Sequence, residues 1–371
     1  MSKSELLVPI GLPASGKTSM AREWQAEDPD ARIRVNYDEL RIGMFREGWV
    51  WNRKDEEAMK AQARRIVKDA LTAGLSVVVD NTNLSRYVRS SWQDFARDLG
   101  AEYIEQDMMT PLEECIHRDR RRGEGTCTCN TDDADDSFPV VKGSDGNLHD
   151  PACPLLLPST RVGQAVIDRM ALEYGFIDWG MRLFNGKEVP DARPIAIVDI
   201  DGTVADCGER LRHLEWKIVH KMDCTSIHTS SDIQQCHQCS RKQSKNWPAF
   251  FAEVSQDKPI IQMINLITKL EPDHMIVYLS GRPISSNGKK IGIMTEDWLG
   301  KYLMRIDRLF LRQDNDHRPD FEYKRAVLEH LPLKRVAYIF EDRDRNVRMF
   351  RDELRKAGSD GLVMQVAEGS Y

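Results

Sequence analysis

The segment Gly11-x-x-x-x-Gly16-Lys17-Thr18 constrains this chain more than any other stretch of it. It follows a short apolar run, residues 6–10, and leads into a helical pattern (Ser19, Met20, Ala21, Trp24) that continues to Pro29. Glycines at this spacing let backbone N–H groups and a helix N-terminus face an anion, so the segment reads as a phosphate cradle between a strand and a helix. Gly11, Ser15, Gly16 and Lys17 are expected to hold the phosphates of ATP. Lys17 reaches the β- and γ-phosphates and Thr18 holds Mg²⁺ through its hydroxyl.

Residues 76–79 form a second apolar run, which ends in Asp80-Asn81-Thr82-Asn83, and a helix-like stretch follows over 86–99. The uninterrupted Val-Val-Val suits a strand buried on both faces. This alternation predicts an α/β fold with a parallel sheet. A second series begins at Pro194-Ile195-Ala196-Ile197-Val198, with further buried-strand candidates at 275–279 and 336–340. A chain of 371 residues is long enough for two domains at roughly 150 residues each. Gly186, Pro190 and Pro194 mark the break, giving domains at 1–185 and 194–371. Residues 124–157 and 207–246 do not fit the alternation and read as insertions, one in each domain.

Apolar residues make up 41% and charged residues 30%, a globular composition far from that of a disordered chain. No run of about 18 apolar residues occurs, so no membrane-spanning helix is expected. Residues 1–6 lack the marks of a signal peptide, which points to the cytoplasm and to reduced thiols. The net charge of −6 argues against a polyanionic partner only at first sight. The insertion at 124–157 holds seven acidic residues against one Lys, which accounts for all of it. Arg118, Arg120, Arg121 and Arg122 therefore sit on a neutral background and can meet phosphates.

Phosphoryl transfer needs more than a cradle. Asn36-Tyr37-Asp38-Glu39-Leu40-Arg41 offers Asp38 as a base for an acceptor hydroxyl and Arg41 for an acceptor phosphate. Arg118 and Arg122, four residues apart, share one helical face. They are candidates for a lid that binds ATP and neutralises transition-state charge, although a solvated basic helix would show the same spacing.

In the second domain, Asp199-x-Asp201-Gly202-Thr203 ends an apolar strand and is the opening motif of haloacid-dehalogenase-type phosphatases. Ser280-Gly281-Arg282, Lys324 and Glu341-Asp342 follow in order. Asp199 would attack phosphorus to form an aspartyl-phosphate, and Asp201 would protonate the leaving oxygen and then activate water. Thr203, Ser280, Gly281, Arg282 and Lys324 are candidates for holding the phosphate, Lys324 also offsetting carboxylate repulsion. Mg²⁺ would be held by Asp199, Asp201 (through its carbonyl), Glu341 and Asp342.

A phosphate-loop domain followed by such a phosphatase resembles the bacteriophage-type polynucleotide 5′-kinase/3′-phosphatase family of end-healing enzymes. Asn36-x-Asp38-x-x-Arg41, Asp80-Asn81-Thr82-Asn83-Leu84, Arg118-x-x-x-Arg122-Gly123 and Gln365-Val366-Ala367 look like its landmarks, in its order. The resemblance covers most of the chain outside the two insertions. It implies a kinase domain followed by a Rossmann-like phosphatase domain with a cap insertion. It implies Asp38 as base for a 5′-hydroxyl, Arg41 on the acceptor's phosphate, Arg122 on ATP, and Thr82 and Asn83 at the substrate. It also implies removal of 3′ phosphates, in some members of 2′,3′-cyclic phosphates, from RNA or DNA ends. A homo-oligomer and an RNA or DNA ligase as partner come with the resemblance. Tyr37 stands where a basic residue is expected, and Glu341 where Asp is more usual. A metabolite kinase fused to a small-molecule phosphatase would carry the same motifs, and a nucleotide-gated binding module would carry the first of them.

Cys224-x-x-x-His228 with Cys236-x-x-Cys239 has the spacing of zinc ligands, His220 or His237 being substitutes. Four of the eight Cys and four of the nine His fall within residues 207–239, which predicts a structural Zn²⁺ in the cap; free thiols on a loop are the alternative. Cys127, Cys129, His149 and Cys153 form a weaker second set in the acidic insertion.

Overall fold

Why the phosphate-binding segments end up at usable positions follows from strand order. The computed structural model describes residues 3–45, 52–123, 141–142, 148–149, 161–184, 187–214, 216–220, 239–243, 245–302, 304–314 and 316–366. The chain divides into one unit of residues 1–163 and 169–190 and a second of 164–168 and 191–371. Residues 164–168, expected in the first domain, group with the second. There the Asp168 carboxylate accepts the Leu309 N–H at 2.8 Å and Glu296 accepts the Gln164 N–H at 3.0 Å.

In the first unit, β1 (Glu5–Ile10), β2 (Arg32–Val35), β3 (Ser76–Val79) and β4 (Glu102–Asp107) form a sheet of order β2-β3-β1-β4, parallel in every pairing. The predicted Val77, Val78 and Val79 are each 0% exposed. They are buried because helices cover both faces of a parallel sheet. The helices are α1 (Lys17–Glu27), α2 (Tyr37–Met44), α3 (Arg53–Thr72), α4 (Arg86–Asp98) and α5 (Leu112–Gly123). In α3, Met59, Ala63, Val67, Ala70 and Leu71 are buried, a stripe of helical period. Asn36 and Asn52 cap α2 and α3, accepting the N–H of Glu39 and Asp55 at 3.0 Å each.

Helix α6 (Gln164–Tyr174) precedes the second sheet. That sheet holds β5 (Ile195–Val198), β6 (Met275–Pro283), β7 (Arg308–Arg312), β8 (Val336–Glu341) and β9 (Leu362–Gln365), in the order β7-β6-β5-β8-β9 and all parallel. Val198 pairs with both Tyr278 and Phe340, so the residues just beyond it share one edge with Ser280 and Glu341. Helices α7 (Trp247–Phe251), α8 (Ile261–Leu270), α9 (Ile291–Lys301), α10 (Asp320–Leu328) and α11 (Asp344–Ala357) complete this unit. Within the cap insertion, strands Trp216–His220 and Cys239–Gln243 pair antiparallel. Cys224, His228 and Cys236 lie outside the described residues, and Cys239 is described by its backbone alone, so the zinc expectation falls outside them too. The same holds for the acidic insertion with Cys127, Cys129 and Cys153, while His149 is described as backbone. No helix among the described residues is long and apolar enough to cross a membrane.

Candidate active sites of the two units

Strand β1 occupies an interior place in the first sheet, and its C-terminal end opens into the cradle. Gly16 adopts φ +95°, a left-handed conformation that glycine takes without strain, and caps α1. A Cβ on Gly11 would stand 2.5 Å from Ser15 Oγ, so only glycine lets the loop close this tightly. Lys17 is 7% exposed, and its Nζ donates to the Leu12 carbonyl at 2.6 Å and to Ser15 Oγ at 3.2 Å. Burial pulls its pKa down to about 8, with the Asp80 charge opposing. Thr18 Oγ1 donates to Asp80 Oδ1 at 3.2 Å, and Asp80 also accepts from Arg34 at 2.8 Å and Asn36 at 3.1 Å.

Asp80 thus brings a buried carboxylate to the hydroxyl of Thr18, a donor pair that fits Mg²⁺ at a nucleotide. Sequence reasoning noted Asp80 in a motif without assigning it a role. Its signal was present, since a carboxylate directly ends the strand beside β1. Helix α5 and the segment just before it lie over the cradle: Thr110 Oγ1 donates to the Ser15 carbonyl at 2.8 Å, and Arg118 is 3.7 Å from where a Gly16 Cβ would be. Arg118 pairs with Glu114 at 2.7 Å, while Arg122 acts electrostatically on Lys17.

The remaining expected residues of this unit divide. Asp38 is 84% exposed and pairs with Arg41 at 2.5 Å. Arg41 is in turn gripped in bidentate fashion by Glu56, at 2.8 and 3.0 Å, a buried partner that sequence reasoning missed. Asn83 does not present its side chain as a substrate contact. It takes φ +47°, and its buried amide donates to the carbonyls of Pro9, Val79 and Asn81, so it braces the turn. Thr82 lies in the same turn, its carbonyl accepting the Gly11 N–H at 3.1 Å.

In the second unit, Asp199, Ser280 and Glu341–Asp342 meet at the C-terminal edge of the sheet, the usual ligand side of such folds. Lys324 Nζ donates to Asp199 Oδ1 and Glu341 Oε2, each at 2.7 Å, and lies 3.3 Å from Asp320. Oxygens of Asp199, Glu341 and Asp342 lie within 4.8 Å of one another. Both Asp342 carboxylate oxygens are buried without a hydrogen-bond partner. Burial pushes Asp342 up to about 8, with Glu341 adding to it. Asp199 is raised by burial first and by Glu341 next, against Lys324. Lys324 stays protonated well above its ordinary value because Asp199, Asp320 and Glu341 outweigh its burial. Four carboxylates, Asp199, Asp320, Glu341 and Asp342, outnumber the cations Lys324 and Arg343, and with orphaned oxygens on Asp342 they fit a divalent oxygen-seeking cation such as Mg²⁺. When bound, the ion would hold these carboxylates ionised and neutralise charge on a phosphoryl group. Gly202, at φ +80°, is required here because a Cβ would run into the Asp342 carboxylate.

Asp201 belongs to a different cluster. Its Oδ1 accepts from Arg210 at 2.6 Å and from Arg282 at 2.5 and 3.1 Å. Asp257 bridges the same arginines, at 2.6 and 2.8 Å to Arg210 and 2.7 Å to Arg282. Burial works against the Asp201 charge, but Arg282 and Arg210 outweigh it and hold its carboxyl below the usual carboxylate range. All the arginine bonds fall on Oδ1, which leaves Oδ2 to exchange a proton. Arg282, expected on the substrate, is 0% exposed and positions Asp201 instead. Thr203 is fully buried, its hydroxyl without a partner. Ser280 is 1% exposed, and Gly281 lies so close to Asp320 that no Cβ fits. Arg210, Asp257 and Asp320 were not singled out from sequence. Only Asp320 left a trace there, one helical turn before Lys324.

The first unit is thus a P-loop kinase-type domain and the second a haloacid-dehalogenase-type phosphatase domain. Residues 6–135 match the AAA domain family, and residues 241–371 match the polynucleotide kinase PNKP phosphatase domain family. The two matches fall one in each unit, a P-loop domain of the AAA type in the first and a phosphatase domain of the polynucleotide kinase type in the second. The second match begins beyond Asp199 and Asp201, which rest on the geometry above. A curated relative, L-seryl-tRNA(Sec) kinase of Methanococcus maripaludis, is 26% identical over 122 residues, 32% of this chain. The chain spans 46% of that relative's length. A solved chain of the Pnkp1/Rnl/Hen1 RNA repair complex is 20% identical with TM-score 0.33, covering 100% of this chain and 98% of that one. The Mycobacterium tuberculosis APS kinase CysC, solved with AMPPNP and APS, is 21% identical with TM-score 0.27, covering 34% and 78%.

Proposed function

We propose that this chain heals polynucleotide ends, moving the γ-phosphoryl group of ATP onto a 5′-hydroxyl and removing a 3′ phosphate. The observation that carries the reading is the buried Asp199–Lys324–Glu341–Asp342 cluster, with its orphaned Asp342 oxygens, in a domain of the polynucleotide kinase phosphatase family. In the phosphatase unit, an Asp199 oxygen attacks phosphorus and the bond to the 3′ oxygen breaks. That oxygen takes a proton from Asp201 Oδ2, which must enter the step protonated against the pull of Arg282 and Arg210, and the same carboxylate then removes a proton from the water that releases phosphate from Asp199. Lys324 keeps Asp199 oriented and offsets its neighbours' charge.

In the kinase unit, Lys17, Arg118 and Arg122 neutralise the transferring phosphoryl group, Thr18 and Asp80 would hold Mg²⁺, and Asp38 takes the acceptor's proton. Arg41, aimed by Glu56, meets the acceptor's phosphate. The products, a 5′-phosphate and a 3′-hydroxyl, are what a ligase consumes, so an RNA or DNA ligase is the partner in this reading.

The test is an oligonucleotide with a 5′-hydroxyl and a 3′ phosphate, incubated with ATP and Mg²⁺, with both ends followed. Asp38→Asn should lose 5′ phosphorylation alone and Asp199→Asn 3′ dephosphorylation alone. Wild-type protein that leaves both ends untouched would sink the reading.

A further inference from the structure

Asp201 lines a cavity of about 280 Å³ in the phosphatase unit, most of whose wall has no part in the reaction above. Its wall is apolar and aromatic: Leu211 and Leu214 from the cap insertion, and Trp247 and Phe250 from α7. Arg210 stacks its guanidinium 4.3 Å from the Phe250 ring centre, which holds that ring in place. Trp247 lies nearly parallel to Phe251, 18° apart at 5.7 Å, and is 42% exposed. An aromatic in a binding cleft with this exposure is a platform rather than core. Two cations border the same space, Arg343 and Lys245. Arg343 is half-buried, and among the described residues its guanidinium makes no hydrogen bond or ion pair, although the charges of Asp320, Asp199 and Asp342 act on it.

The direction of the chemistry assigns the occupant. The oxygen that leaves phosphorus must lie where Asp201 can protonate it, so the leaving group occupies the Asp201 side. A polyol leaving group has no use for an aromatic wall, whereas a nucleobase stacks on one at about 1–3 kcal/mol per base. The volume is close to the lower end for small-molecule sites, roughly 300 Å³, which suits one nucleoside. The two cations beside it complement the next phosphodiester.

We infer that this cavity receives the 3′-terminal nucleoside of the polynucleotide, its base against Trp247 and Phe250 and its adjoining phosphodiester at Arg343 and Lys245. The inference rests on the 3′-phosphatase reading and names the part of the substrate that this site recognises.

The experiment compares an oligonucleotide 3′ phosphate with the same oligomer made abasic at its last residue, in wild type, Trp247→Ala and Trp247→Phe. Each protein is scored by its own ratio of kcat/KM between the two substrates, which cancels any difference in folded fraction. Stacking predicts a wild-type ratio of about 5–150, carried mainly by KM. The ratio should collapse toward one in Trp247→Ala and return in Trp247→Phe. A wild-type ratio near one, or a ratio unchanged in Trp247→Ala, overturns the inference while leaving the 3′-phosphatase reading intact. Wild type that hydrolyses glycerol phosphate but neither oligonucleotide overturns that reading itself, and the terminal-nucleoside site with it.

Discussion

Asp257 touches neither the phosphoryl site nor the cavity's open face in the mechanism above, yet replacing it should disturb the phosphatase unit more than most core changes. Asp201, Asp257, Arg210 and Arg282 form a charge-neutral quartet, with Asp257, Arg210 and Arg282 each 6% exposed or less. Asp257→Asn removes one counter-charge and leaves two buried guanidiniums on the single carboxylate of Asp201. Breaking a buried pair in this way costs about 3–5 kcal/mol, because the remaining charge has lost its compensation. The asparagine oxygen still accepts a hydrogen bond, which places the expected loss near the lower figure, about 3 kcal/mol. Both arginines should then be drawn further onto Asp201. Displacement of its Oδ2 should lower 3′-phosphatase kcat by up to about 10²-fold, while 5′ phosphorylation by the same sample stays at the wild-type level. Stability is best read by hydrogen exchange at the amides of β5 in increasing urea, since these report the phosphatase unit alone. A difference below about 1 kcal/mol from wild type would refute the neutral-quartet argument, because it would mean that water or other groups serve the arginines equally well.

Further outcomes follow from the same geometry. Lys17, with a folded pKa of about 8 against 10.5 ordinarily, sheds its proton earlier in the folded than in the unfolded chain. Between those values the unfolded state binds more protons, so stability rises with pH there while the cation that meets ATP is lost. ATP binding by calorimetry should weaken from pH 7 to pH 9.5, and Lys17→Arg should flatten that dependence because arginine stays charged. Asp80→Asn should lower phosphoryl transfer from ATP by about 10²–10³-fold and leave 3′ dephosphorylation unchanged, since the Thr18–Asp80 pair loses its charge for Mg²⁺; both rates can be read in one end-labelling assay. Gly202→Ala should cost about 1–3 kcal/mol, from the strained φ and the overlap with Asp342. Mg²⁺ is expected to raise the melting temperature of the wild type, and Gly202→Ala should lessen that rise, a scan in metal-free and Mg²⁺ buffers being the check.

Local backbone requirements were legible in the chain. The cradle at residues 11–18 is read from glycine spacing because its N–H groups are contiguous in sequence and need no distant partner. Buried parallel strands were legible for a similar reason, since a strand covered on both faces must be apolar throughout, as at 77–79 and 195–198. Strand-end carboxylates then point to the phosphatase edge. Roles that depend on which side chain faces which were not legible. Asn83, in a motif that suggested the substrate, turned its amide onto three carbonyls once the turn adopted a left-handed residue. Arg282, next to Ser280 on the phosphate edge, found two carboxylates instead.

Sequence by itself determined that this chain carries a phosphate cradle and a set of strand-end carboxylates on two parallel sheets. Fold type and motif position are set by periodicity and local backbone conformation. Tertiary structure alone decided the partners: Asp80 for Thr18, 62 residues away, Glu56 for Arg41, and the arginine pair that holds Asp201 by its Oδ1. Those choices belong to packing because a buried charge takes whichever counter-charge the folded chain brings within about 3 Å, whatever their separation along the sequence.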